Sequence, residues 1–399
     1  MSRLSLNKSK KSAENNLARF PCRQCGAVLK YEPGTTHLLC EYCGFDNPIA
    51  ERGGTIEEYD LQQALKELAQ PRAEAAKPQI HCDECGAAFQ FESNQHAGEC
   101  PFCGTPIVSA TAQIKPIQPK SLLPFRIDEN EARRQFQHWL NGLWFAPNAV
   151  KKYARGESKL TGVYLPYWTF DSQTETNYSG ERGDIYYVDQ PVQVVRNNRV
   201  VTEIRRVPRI HWTPVRGHVS RFFDDVLVGA SHSLPRKVVD ALQPWDLENL
   251  VPYDPDYLSG FRSEFYQVDL DEGFDVARQV MDGVIYRDIA FDIGGDHQRI
   301  HQVQTRHSDT TYKHCLLPVW SAAFRYRNKT YRYVVNGRTG EVQGERPYSV
   351  WKIACAVFAA LLLAASIFYY LEKTGALQNG QPQYQYQAPY DEVPPYYLR

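Results

Sequence analysis

The sequence predicts an α+β chain: two small cysteine-framed modules, a β-rich α+β domain and one C-terminal transmembrane helix. Three observations predict it. Eight of ten cysteines fall into two matching sets, an uncharged apolar run closes the ordered part of the chain, and the stretch between is rich in Tyr, Trp and Val at period two. The 399 residues allow two or three domains. With 43% apolar and 23% charged residues the chain is globular, neither disordered throughout nor polytopic. Lys+Arg 45 against Asp+Glu 46 leaves a net charge of −1, so overall basicity gives nucleic acid no foothold.

The cysteines come first. Cys22-x-x-Cys25 is followed by Cys40-x-x-Cys43, and the set recurs shifted by 60 residues as Cys82-x-x-Cys85 and Cys100-x-x-Cys103. Both sets open Cys-x-x-Cys-Gly-Ala (Gly26-Ala27, Gly86-Ala87), and both carry an aromatic inside the second pair (Tyr42, Phe102) with Gly44 or Gly104 after it. Two residues between cysteines let one tight turn aim both sulfurs at a point, and the following glycine permits the left-handed backbone that closes the turn. Two such turns at the base of a short hairpin offer four thiolates in a tetrahedron, which suits Zn²⁺. Ala27 to Tyr31 and Ala87 to Phe91 read as first strands, with Pro33-Gly34 as a turn. A module of about 30 residues cannot build its own core, so the metal must supply the folding energy. Disulfides would need an oxidising compartment, and a redox Cys-x-x-Cys needs a βαβ context. A four-sulfur site admits zinc or iron; zinc is the expectation, as two structural ions. His37 and His96 do not align under the shift and read as surface residues; Cys315 and Cys355 read as buried thiols.

Ile353 to Leu371 contains no charge. At 1.5 Å per residue it spans about 28 Å, close to the hydrocarbon core of a bilayer. Trp351 at one end and Tyr369-Tyr370 at the other suit the two interfaces. Arg332, Arg338, Arg346 and Lys352 precede it, whereas Lys373 alone follows closely. The excess places the N-terminal bulk in the cytoplasm and the short C-terminus outside, an inner-membrane single-pass topology. Reduced thiolates ask for the same side.

Along the chain, residues 1–19 form a basic flexible N-terminus, with Arg3, Lys8, Lys10, Lys11 and Arg19 against Glu14. The first module covers 20–50 and the second 80–110. In 51–79, Thr55-Ile56-Glu57-Glu58 reads as a capping box opening a helix to about Ala69, with Leu61, Leu65 and Leu68 on one face. A Pro/Ala-rich hinge from Pro71 to Pro78 follows, and predicts two modules that move relative to each other. The β-rich α+β domain covers 111–345. In it Asp128-Glu129-Asn130-Glu131 opens a helix bearing Phe136, Trp139, Leu140 and Leu143, and a helix near Glu272 to Asp288 carries Phe274, Ala277, Val280 and Ile285. Asn197-Asn198 and Asn336-Gly337 are hairpin signals. Leu165-Pro166-Tyr167-Trp168 and Leu317-Pro318-Val319-Trp320 repeat a pattern that a duplication leaves, and that chance leaves as readily. The transmembrane helix covers 350–371, and the Gln/Pro/Tyr-rich tail 372–399 is expected to be disordered.

Catalytic motifs are missing. No Gly-x₄-Gly-Lys-Ser/Thr loop, Gly-x-Ser-x-Gly elbow or His-Glu-x-x-His occurs, and the chain is expected not to be an enzyme. His297, His301, His307 and His314, with Asp292 and Asp296, cluster in sequence; at strand spacing they alternate across both faces of a sheet. The modules themselves are acidic. Residues 20–50 hold Arg23 and Lys30 against Glu32, Glu41 and Asp46, and residues 80–110 hold Asp83, Glu84, Glu92 and Glu99 with no Lys or Arg. Phosphate needs local positive charge, so these surfaces favour protein contact.

The paired Cys-x-x-Cys-Gly modules resemble TFIIB-type zinc ribbons. Cys22 to Gly44, Cys82 to Gly104, Lys313 to Trp320, and Val335 to Glu341 through Gly344 to Pro347 together are similar to a bacterial family of membrane-anchored double zinc-ribbon proteins. Some are named after primosomal protein N′, the replication factor Y helicase, but the helicase's ATP loop is absent here and that activity is not carried over. The resemblance implies two zinc ribbons and a setting with phage-shock-protein-A-like or SPFH-like membrane scaffolds. The expected function is recruitment of a protein partner at the cytoplasmic face of the membrane. The alternative is a nucleic-acid-binding protein linked to replication or transcription.

Overall fold

The computed structural model describes residues 20–50, 56–69, 80–81, 88–89, 95–99, 106–108, 117–147, 160–196, 199–326, 329–346 and 348–373. Both termini, the proline-rich hinge and the cysteines of the second module lie outside them. The chain divides into two units. The first comprises Met1–Tyr178, Gly217–Asp292 and Val303–Tyr348; the second comprises Ser179–Arg216, Ile293–Gln302 and Ser349–Arg399.

The first module is a three-stranded sheet of β1 (Lys30–Tyr31), β2 (His37–Leu39) and β3 (Asp46–Pro48) in that order. Next come β4 (Tyr59–Asp60) and α1 (Leu61–Leu68). The helix therefore starts later than the capping box predicts. Asp60, not Thr55, is its N-cap and accepts from Gln63 N–H at 2.6 Å. Tyr59 and Asp60 are drawn into strand pairing with Tyr312 and Thr311, a long-range contact that outcompetes local helix propensity.

β5 (Ile80–His81) pairs with β6 (Ala88–Phe89). β7 (Gln95–Glu99), β8 (Pro106–Val108), β9 (Ser121–Leu122), α2 (Glu129–Gly142), β10 (Thr161–Arg196), β11 (Arg199–Gly229), α3 (Arg236–Asp240), β12 (Val251–Pro252), β13 (Arg262–Glu264), α4 (Leu270–Ile293), β14 (His297–Tyr326), β15 (Lys329–Asn336), β16 (Val342–Gly344) and α5 (Val350–Lys373) follow. The main sheet has the order β12-β9-β14-β10-β13-β7-β8, with β11 on β10, β15 on β14, β16 on β15 and β4 on β14.

α2 begins where the acidic run predicts, with Asp128 capping Glu131 N–H at 2.7 Å. Phe136 and Leu140 are buried, and Trp139 and Leu143 pack against the same core. β10 and β11 flank Asn197-Asn198 and pair with each other. The second hairpin also forms, but its loop runs from Gly337 to Glu341 rather than turning on two residues. Asn336 shapes that loop, because its side-chain oxygen accepts from the N–H groups of Arg338 and Thr339. α4 is longer than predicted. It buries Ala277 and Ile285 as predicted, together with Met281 and Ile289, and Phe274 meets the Phe170 ring; Val280 alone of the predicted stripe is exposed, with Met281 buried in its stead.

The repeated Leu-Pro-x-Trp marks an internal two-fold repeat. Each copy runs short strand, helix, long strand, return strand: β9-α2-β10-β11 and β13-α4-β14-β15. The copies exchange their short strands. β9 pairs in parallel with β14 at Ser121↔Cys315, and β13 pairs in parallel with β10 at Val163↔Arg262. The Trp168 indole donates to Val268 O of the second copy, and the Trp320 indole donates to Ile127 O of the first, both at 3.0 Å. Pro166 O accepts from Ala230 N, and Pro318 O from Gly337 N. Ala230 O takes the N–H groups of Gln267 and Val268, as Gly337 O takes those of Arg126 and Ile127. A polar tryptophan edge buried in a core needs an acceptor, and each copy supplies one to the other.

The first cysteine module is part of this core rather than a free arm. Cys22, Leu29, Tyr31, Leu38 and Cys40 share one buried cluster with Phe125, Phe136, Tyr164, Phe261 and Tyr333. Tyr31 is 3% exposed, and its ring meets Tyr257 edge-on at 5.0 Å. Tyr31 N–H donates to Ser259 O, Ser259 Oγ to Leu29 O, and Gly34 N–H to Phe125 O. Gly34 sits at φ +83°, and a Cβ there would lie 3.0 Å from Arg126 O, so both the turn and the contact need glycine. β7 and β8, from the second module, extend the main sheet through Ser263↔Ala97.

A charged cluster ties the segment before α1 to β14. Lys313 is buried, with Nζ 3.0 Å from Glu58 and 2.7 Å from Asp225, and Thr311 Oγ1 bonds Glu58 at 3.0 Å. Asp171 accepts from Asp225 N–H at 2.6 Å. Burial, helped by neighbouring Glu58, pushes Asp171 up to about 6 against the pull of Asp225 N–H and Lys313. A carboxyl with a raised folded-state value binds its proton more tightly folded than unfolded, so its contribution favours the fold at low pH and is lost as pH rises through about 6. Asp171→Asn is therefore expected to be more stable than wild type above about pH 6 and to lose that advantage progressively down to about pH 4. Urea midpoints of both chains across that range test it; parallel profiles would refute it.

Within the second unit, Glu181 faces Arg299 at 3.4 Å and His301 at 3.7 Å, and the Arg299 guanidinium lies 3.9 Å over the Trp212 ring. α5 is the one helix among the described residues long and apolar enough to cross a membrane, at Val350–Leu371 with a mean hydropathy of 2.2. Its apolar side chains are exposed all round, as is Cys355, which is therefore not the buried thiol expected.

Candidate metal centre

Two knuckles build the site. In the first, Cys22 N–H donates to Ala27 O and Gly26 N–H to Cys22 O, with Gly26 at φ +75°. In the second, Cys40 N–H donates to Phe45 O and Gly44 N–H to Cys40 O, with Gly44 at φ +71°. These are the glycine-closed turns that the spacing predicts. They aim Cys22, Cys25, Cys40 and Cys43 at one point, with all four Sγ within 4.8 Å of one another.

The distances distinguish metal from disulfide. Cys22 and Cys43 Sγ lie 3.7 Å apart, and Cys25 and Cys40 Sγ 3.6 Å. A tetrahedron with metal–sulfur bonds of about 2.3 Å has edges of about 3.8 Å, whereas a disulfide holds its sulfurs at about 2.05 Å. All four thiols are free. Burial resists ionisation of Cys22, yet the N–H groups of Cys25 and Gln24 and the Asn47 amide bring it down to about 6. Cys40 is lowered chiefly by the Cys43 N–H, while Cys43 is pushed up to about 12 and Cys25 is also raised. Four thiolates this close cannot all ionise unaided; a divalent cation removes the conflict.

Asn47 is the residue that spacing missed. Its Nδ2 donates to Cys22 Sγ at 3.7 Å and to Phe45 O at 3.0 Å, and its Oδ1 accepts from Arg23 N–H at 2.9 Å. It ties one knuckle to the other and orients a ligand, the usual task of groups just outside a metal's ligands. The available signal was an Asn inside a strand, a residue that strands disfavour. His37 is not a ligand. It pairs with Glu32 at 3.1 Å and lies 3.6 Å from Asp46.

Cys82, Cys85, Cys100 and Cys103 lie outside the described residues. Among the described residues, two strand pairings around them repeat those of the first module. Leu39↔Asp46, Leu38↔Asn47 and His37↔Pro48 recur as Glu99↔Pro106, Gly98↔Ile107 and Ala97↔Val108. The Pro21↔Val28 bridge recurs as His81↔Ala88.

The histidines are not gathered into a site. His301 faces Glu181, His307 Nδ1 lies 3.3 Å from Ser172 Oγ, and His314 is buried beside Trp168. Asp292 accepts from Tyr178, and Asp296 from Ile185 N–H. Asp309, at φ +50°, kinks β14 between His307 and His314 without ending it, so strict alternation does not hold there. Cys315 is buried as predicted, and burial pushes its thiol up to about 12.

A Bacillus subtilis (strain 168) protein described as uncharacterized protein YdjG is 25% identical over 364 residues, which cover 90% of this chain and 98% of that protein. No family model matches the chain. No solved structure matches it.

Proposed function

We propose that the chain is a non-enzymatic, single-pass inner-membrane protein whose cytoplasmic bulk carries two structural Zn²⁺ ions and holds a protein partner at the membrane. The observation that carries the reading is the four-sulfur cluster with edges of 3.6 and 3.7 Å, the size a tetrathiolate zinc site needs. The repeated strand register supports a second site at Cys82, Cys85, Cys100 and Cys103. The apolar helix Val350–Leu371 and the positive charge before it support the anchor and its orientation. Tyr42, 84% exposed between Cys40 and Cys43, supports partner contact through the knuckle face, since Tyr31 is occupied in the core. The resemblance to membrane-anchored double zinc-ribbon proteins makes a phage-shock-protein-A-like or SPFH-like scaffold the partner class. Acidic modules speak against nucleic acid.

Elemental analysis of the purified full chain is expected to give two equivalents of zinc, falling to one in Cys22→Ser and to one in Cys82→Ser. A single equivalent in wild type would remove the second site, and iron in its place would change the metal. Binding of a purified phage-shock-protein-A-like scaffold to the bilayer-reconstituted chain is expected to weaken in Tyr42→Ala at unchanged zinc. Undiminished binding with both ribbons broken would refute recruitment.

A further inference from the structure

The internal repeat provides its own control for a cavity. Gly162 and His314 hold equivalent places, each three residues before its Leu-Pro-x-Trp, and Phe261 and Lys120 each precede an exchanged short strand. In one half the space is full. The Phe261 ring lies on Gly162, where a Cβ would sit 2.3 Å from the ring, and it stacks on Phe125 at 4.5 Å. In the other half, His314 replaces the glycine and the exposed Lys120 chain replaces the ring.

What remains there is a half-open pocket of about 190 Å³, walled by Tyr59, Ala64 and Glu67 from the β4–α1 segment, with Tyr312, His314 and Lys120 also lining it; the Glu67 carboxylate leaves Lys120 as the one positive charge among the lining residues that an acid could meet there. His314 is 3% exposed; the Ile117 and Gln118 backbone lies close enough to pull on its ring, but neither ring nitrogen makes a well-formed hydrogen bond. A buried polar group left unpaired is costly, and such groups are normally satisfied. Burial pushes this imidazole down to about 4 despite the upward pull of the Gln118 and Ile117 backbone, so it is neutral at working pH, one nitrogen a donor and the other an acceptor. Lys120 Nζ sits 5.3 Å over the Tyr59 ring, bringing a positive charge to the same space. A volume of roughly 150 Å³ accepts a benzene molecule, so this pocket has room for a single six-membered ring, with its open side free for substituents.

We propose that this cavity binds a small planar ring acid: the ring takes the space that Phe261 fills in the other half, a hydroxyl or ring N–H meets His314, and a carboxylate meets Lys120. The site shares no residue with the cysteine cluster and does not depend on the zinc reading. The probes are 4-hydroxybenzoate and its uncharged counterpart 4-hydroxybenzyl alcohol, titrated against the full zinc-loaded chain in detergent and followed by ligand-observed NMR. Both are expected to bind wild type. Lys120→Met is expected to weaken the acid by about tenfold to a hundredfold, the worth of a charge-assisted hydrogen bond, and to leave the alcohol unchanged. Ala64→Trp, which fills the cavity from α1, is expected to abolish both at unchanged zinc content. A fluorine label on Trp168, whose ring lies 4.7 Å from His314, is expected to shift when the acid is added to wild type, so the site is read without a variant. Failure of both probes to bind, binding that survives Ala64→Trp in a folded chain, or a Trp168 signal unmoved at saturation would overturn the proposal.

Discussion

On the proposed zinc reading, stripping the ion from Cys22, Cys25, Cys40 and Cys43 is expected to unfold the core of the first unit, not the cysteine module alone. An independent module would lose only its own strands. Here Cys22 and Cys40 are themselves core residues, packed in one cluster with Leu29, Tyr31, Phe125 and Phe261. Structural zinc contributes about 10–16 kcal/mol to small zinc domains, as much as the whole stability of an ordinary domain, about 5–15 kcal/mol. Losing it should therefore cost the surrounding fold as well. Near-UV circular dichroism during chelation reads the tertiary packing of Trp168 and Trp320, far from the sulfurs in sequence. The expected result is loss of that signal together with metal release, and the same loss in Cys22→Ser. Metal release that leaves the tryptophan signal and the urea midpoint intact would show a ribbon that folds and unfolds by itself.

Tyr31→Ala is expected to destabilise the full chain by about 3–5 kcal/mol, the usual cost of deleting a large buried aromatic. The ring is buried against Tyr257 and Phe261, and its hydroxyl donates to Thr35 O at 3.0 Å and also reaches Phe125 O at 3.3 Å. Tyr31→Phe keeps the ring and is expected to lose only about 1 kcal/mol. Zinc content should not change, because no ligand is touched. Denaturant midpoints with parallel metal analysis separate these outcomes. An alanine variant as stable as wild type would mean that the first cysteine module is not seated on the domain.

The features legible in the sequence are those that neighbours along the chain determine. Cys-x-x-Cys-Gly predicted both knuckles of the first module because a turn and its glycine are local. Asp128 as an N-cap, the return of the chain after Asn336 and the uncharged stretch from Ile353 rest on equally short-range rules. Where a distant partner intervened, local reading failed. β14 captured Tyr59 and Asp60 and moved the start of α1; packing chose Met281 over Val280 as the buried face of α4.

By itself the sequence determined the four-sulfur spacing and its 60-residue echo, the β-rich middle and an apolar helix of membrane length, because each is a matter of residue type at fixed separation. Only the tertiary structure decided that the first cysteine module is part of the core, that Asn47 braces its knuckles, and that two copies trade short strands and tryptophan hydrogen bonds. Those depend on which surfaces exclude water against each other across hundreds of residues, and no periodicity along a chain encodes that choice.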